Sequence, residues 1–116
     1  MTAEPREDQA DRAFDRIAQR LLADPRVSAG TGFGSGAGLR VGNKIFAMVR
    51  RGDLVVKLPR PRVEELIGAG VAGRFDPRGD GRLMREWASV PLSHRRRWSR
   101  LVHEALAYVS SAGRMT

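Results

Sequence analysis

Residues 32–58, GFGSGAGLRVGNKIFAMVRRGDLVVKL, decide the fold of this chain. They read as three consecutive strands joined by two tight turns. Gly42-Asn43 separates Val41 from Lys44, and Arg51-Gly52 separates Arg50 from Asp53. Two turn-forming residues between apolar runs signal a hairpin. Leu39 to Val41 forms the first strand, Lys44 to Arg50 the second and Asp53 to Leu58 the third. Strict alternation puts Ile45, Ala47 and Val49 on one face of the second strand, and Phe46 and Met48 on the other. In the third, Leu54, Val56 and Leu58 share a face, and Val55 and Lys57 take the opposite one. Both strands are thus apolar on both faces, while the helices available cover one. An uncovered face bearing Phe46, Met48 and Val55 is expected to be an interface for a homodimer or another protein partner.

Immediately upstream, Gly30 to Gly38 places a glycine at every second position. Gly32, Gly34 and Ala37 satisfy the loose form of a dinucleotide fingerprint. That chemistry needs a strand before the turn and a helix after it, so that phosphates meet the helix N-terminus. Here a helix precedes and a strand follows, so the run is expected to be a flexible or bulged entry strand, with no cofactor. A small-ligand site at this strand is the remote alternative. The preceding helix is expected over Asp8–Ala23, because Phe14, Ile17, Ala18, Leu21 and Leu22 recur at helical spacing. Asp24-Pro25 ends it, since the residue before proline avoids helical backbone. Residues 1–7 are expected to be disordered, and 8–112 to form a single domain.

Downstream, Pro59-Arg60-Pro61 opens a short helix that Gly68 or Gly70 stops. Phe75 marks a short strand, and Leu83 to Val90 a longer one that Pro91 closes. Ser93 is a credible cap for a final helix to about Ser111, whose apolar face carries Trp98, Leu101, Val102, Ala105, Leu106 and Val109. Strands and helices are segregated, so the fold class is α+β. The expected architecture is an antiparallel sheet of four to five strands with an N-terminal helix, a short middle helix and a long C-terminal helix.

Composition narrows the function. The 116 residues suit one domain; 41% are apolar and 29% charged, which is ordinary for a soluble protein. The longest apolar run, Ile45 to Val49, falls far short of the ~20 residues of a membrane span. The polar, acidic N-terminus is unlike a signal peptide, and no cysteine is present. A cytoplasmic protein with no membrane association is expected. The net charge of +8 is uneven: residues 1–24 carry six acids against four arginines, and residues 25–116 carry seventeen bases against seven acids. Nineteen of the 21 bases are arginine, which forks onto phosphates and stacks on bases.

The sharpest functional feature is His94-Arg95-Arg96-Arg97, with Arg100 one turn on. Positive charge at a helix start opposes the peptide dipole, so local stability does not account for it. A polyanion, nucleic acid above all, would compensate it. Arg82 and Arg85 on the preceding strand are expected to extend the patch. A solvated basic surface, paired with the acidic first helix, is the competing reading. Catalysis finds little support. Ser35 lies between glycines without the nucleophile-elbow spacing, and no pair of carboxylates is placed for acid–base work. His94 and His103 lack metal-ligand spacing. A non-enzyme without metal or cofactor is expected.

The meander also resembles the N-terminal domain of the TfoX/Sxy family. The similarity is carried by Phe33-Gly34-Ser35-Gly36, Leu39, Val41, Phe46-Ala47-Met48-Val49, Gly52 and Leu54. Further on it is carried by Gly81-Arg82-Leu83-Met84, Trp87 and Val90-Pro91. YjbR/MmcQ-like proteins are a looser match through the phenylalanine-alanine-methionine strand and the later tryptophan strand. The resemblance implies a small α+β domain with a curved antiparallel sheet and flanking helices. TfoX proteins are linked to competence regulation, and YjbR-like proteins have been proposed to bind DNA. A regulatory, transcription-linked accessory role is the expectation that follows. The second, helical domain of many full-length TfoX proteins would have no room in 116 residues.

Overall fold

The computed structural model describes residues 5–30, 38–75 and 84–114. Helix α1 spans Arg6–Leu21. Strands β1 (Val27–Ala29), β2 (Gly38–Val41), β3 (Lys44–Arg50) and β4 (Asp53–Lys57) follow. Helix α2 spans Arg60–Gly68, then come β5 (Gly73–Phe75) and β6 (Met84–Val90). A 3-10 segment, Leu92–Arg97, leads into helix α3, Trp98–Arg114. All strand pairs are antiparallel, in the order β1-β2-β3-β4-β6-β5. The fold is α+β as its segregated strands and helices dictate, with two short strands at the sheet's margins.

The meander turns follow the chemistry of their residues. Arg51 and Gly52 both have positive φ (54° and 84°), the signature of a type I′ hairpin, with Arg50 directly opposite Asp53. Gly42 supplies the positive φ (61°) of the preceding turn. Helix α2 ends in a Schellman motif. The Val71 N–H donates to the Leu66 carbonyl and the Gly70 N–H to that of Ile67, with Gly70 at φ 76°.

All three helices pack on one face of the sheet. There they bury Phe14, Leu39, Leu54, Val56, Leu58, Val63, Val90, Trp98, Leu101 and Val102 in one continuous core. Trp98 is fully buried, and its indole N–H donates to the Pro91 carbonyl at 3.3 Å. This ties the start of α3 to the end of β6. Arg62 grips Glu104 through Nε and Nη2 at 3.0 and 3.1 Å, pinning α2 to α3.

Strict alternation fails in β3, and the register shows why. Leu39 pairs with Ala47, but Arg40 pairs with Ile45, so Phe46 is an extra residue in a β-bulge. The bulge turns Phe46 to the helix side with Ala47 and Val49. Ile45 and Met48 remain on the opposite face. Phe46 and Met48 therefore do not share a face. Nor is either exposed: Phe46 is 0%, Met48 8% and Val55 1% accessible. Met48 and Val55 pack with Phe75, against Ile45 and Trp87, in a small second cluster on the sheet face away from the helices. The expected open apolar face is thus filled from within the chain. Leu22, just beyond α1, is the exposed large hydrophobic among the described residues.

Other boundaries shift modestly. Helix α1 begins at Arg6, inside the segment expected to be disordered, and ends before Leu22 rather than at Ala23. The last α-helix starts at Trp98 because His94 departs from helical backbone (φ −108°, ψ 24°). The glycine-rich residues 31–37 and residues 76–83, with Arg82, lie outside the described residues.

Candidate nucleic-acid interface

Pro91 directs the chain from β6 into the 3-10 turn, and burial of Trp98 fixes that turn against the core. Arg95, Arg96 and Arg97 precede Trp98, so they point outward and are exposed; Arg100, in the first turn of α3, is exposed as well. Leu92 to Arg97 line a shallow depression of about 490 Å³. A second depression, of about 240 Å³, lies where α1 meets the start of α3. Its walls include Arg16, Arg20, Arg95 and Ser99. Arg95 belongs to both, so the two form a continuous basic surface.

Ion pairing decides what these cations do. Elsewhere Arg26, Arg62 and Arg74 are paired internally, whereas Arg40, Arg50, Arg60 and Arg85 enter no ion pair among the described residues. Arg26 binds Asp24 at 2.7 Å and holds its carboxyl down at about 2. Arg74 takes Glu64 in a fork at 2.8 and 2.9 Å. Arg62 takes Glu104 and also contacts Glu65. Among the described residues, Arg16, Arg20, Arg95, Arg96, Arg97 and Arg100 enter no ion pair. The acidic first helix does not neutralise them. Its N-terminal carboxylates crowd one another instead: burial, then Asp15, Asp8 and Glu7, push the Asp11 carboxyl up.

The sequence-expected patch is thus partly reassembled. Arg95, Arg96 and Arg97 line one depression, and Arg100 follows in the first turn of α3. Arg85 stands near the opposite end of β6, where its charge acts on Glu64 of α2, so it does not extend the cluster. Arg16 and Arg20 join instead; on sequence they belong to a solvated face of α1, because nothing local says which helix end will meet them. His103 holds its Nδ1 2.7 Å from the Ser99 carbonyl, a helix-internal contact. Among the described residues no group of three His, Asp or Glu side chains is placed to hold a metal. No described helix is long and apolar enough to cross a membrane.

No protein-family model, curated protein or solved structure matches the chain.

Proposed function

We propose that this chain is a small, non-enzymatic, cytoplasmic binding module that contacts nucleic acid through Arg95, Arg96, Arg97 and Arg100, with Arg16 and Arg20 on the same surface. One observation carries the reading: five arginines, Arg16, Arg20, Arg95, Arg96 and Arg97, line two depressions that share Arg95, and no carboxylate lines either. Like charges held together without internal compensation raise the free energy of the fold, and at a helix start the dipole adds roughly 0.3–1 kcal/mol each at low salt. A chain of phosphates removes that cost and gains from counterion release. The resemblance to TfoX N-terminal domains favours a transcription-linked accessory role. The competing self-association reading needed an exposed Phe46, Met48 and Val55, all of which are buried.

The test is a gel shift with a random-sequence DNA, titrated with salt. Wild type should bind at low salt and release as salt rises. Arg96→Glu with Arg97→Glu should weaken binding by at least about tenfold. Equal binding by this variant, or none by wild type at low salt, would overturn the reading.

A further inference from the structure

The depression where α1 meets the start of α3 differs in kind from a plain cationic surface. Four of its lining residues form one stripe of α1: Ala13, Arg16, Ile17 and Arg20 stand three and four residues apart. Arg95 of the 3-10 turn and Ser99 in the first turn of α3 close the other side. Ala13, Ile17 and Ser99 are half-buried, and the three arginines are exposed. The depression thus has a floor of two aliphatic side chains and a hydroxyl-bearing residue, rimmed by guanidinium groups from two elements. Among the described residues no carboxylate lines it.

Rim and floor ask for different things. A bare phosphate would use the rim alone, because pressing it onto aliphatic side chains strips its hydration without return. A planar body with an anion attached uses both. Its face covers Ala13 and Ile17, guanidinium planes stack on it, and its charge meets the rim. At about 240 Å³ the depression falls below the ~300 Å³ at which sites for drug-sized ligands begin, so it suits one ring system. A nucleotide of an unpaired strand has this composition. A duplex does not present it, because each base face is covered by its stacked neighbours.

We infer that this surface prefers single-stranded to duplex nucleic acid, and that one unstacked base sits over Ala13 and Ile17 between Arg16, Arg20 and Arg95. The inference rests on the nucleic-acid reading above and adds to it the state of the strand. Charge by itself predicts the opposite preference. Duplex phosphates are denser along the axis, and each one neutralised releases more counterion. The sign of the preference therefore separates a seated base from a purely electrostatic contact.

Anisotropy titrations at low salt with three labelled probes test it. They are an oligothymidine strand, a duplex of equal length, and an abasic strand of equal length, which keeps the phosphates and has no bases. The oligothymidine should bind about fivefold tighter than either of the others. Ser99→Gln, which extends a neutral side chain at the wall, should bring the oligothymidine down to the affinity of the abasic strand, with a thermal melt confirming that the variant folds. Equal affinity of wild type for the oligothymidine and the abasic strand overturns the inference. So does a duplex that binds more tightly than the oligothymidine, or a folded Ser99→Gln variant that keeps the preference. In each of these cases the nucleic-acid reading stands. Binding of none of the three probes sinks that reading, and the inference with it.

Discussion

Asp11 lies on α1 between Asp8 and Asp15, three and four residues away, so three carboxylates share a strip of helix surface. Partial burial, then Asp15, Asp8 and Glu7, raise its pKa in the folded chain. A group whose folded pKa is raised stabilises the protonated fold below its unfolded pKa, and that contribution is lost as pH rises through the folded value. At neutral pH the ionised Asp11 therefore opposes folding. Asp11→Asn should raise the melting temperature at pH 7 by about a degree or two, less in high salt. At pH 3 the gain should shrink toward zero; an equal gain at both values would assign the effect to something other than charge. At this scale the sequence is a fair guide to what a residue wants and a poor one to what it meets. The run Arg95–Arg97 is legible because three consecutive cations at a helix start conflict with local electrostatics wherever the fold puts them. The unpartnered Oδ1 of Asp53 is not, since Arg50 directly across the strand pair lies over Phe75 instead.

Secondary-structure elements show the same division. The β2–β3–β4 meander is legible because Gly42 and Gly52 adopt the positive φ that their turns require. Strands β1 and β5 have three residues each, too few for a period of two to register. The bulge at Phe46 has no sequence marker, because either face would accept a phenylalanine; only the shifted pairing with β2 reveals it. Gly70 gives a clean test of turn chemistry. A Cβ there would meet nothing within 4 Å, so substitution would cost only the left-handed backbone conformation. Gly70→Ala should lower stability by about 1 kcal/mol in a denaturant titration, with an unchanged slope. A neutral result would mean that the α2 terminus relaxes out of its Schellman geometry.

For the molecule as a whole, the net charge of +8 includes a grouping that sequence order does not suggest, Arg16 and Arg20 beside Arg95. Sequence order suggests a strip running from Arg82 and Arg85 into Arg95–Arg100. Folding instead sends Arg85 to the far end of β6 and brings in Arg16 and Arg20 from the first helix. Such a focused field should steer a polyanion and make affinity strongly dependent on ionic strength. With about four phosphates neutralised, log K should fall against log salt with a slope of roughly −3 to −4. Arg96→Glu with Arg97→Glu should flatten that slope by about 1.5 to 2. An unchanged slope would place the phosphate contacts elsewhere.

The brevity of β1 and β5 has one more consequence, for behaviour in crowded solution. Sheet margins are where neighbouring molecules recruit one another into ordered aggregates, by continuing the backbone ladder from chain to chain. Here the long strands β3 and β6 are paired on both sides, and among the described residues each margin strand is three residues long. A molecule so trimmed, and repelling its copies by charge, should stay dispersed at high concentration instead of seeding fibrils.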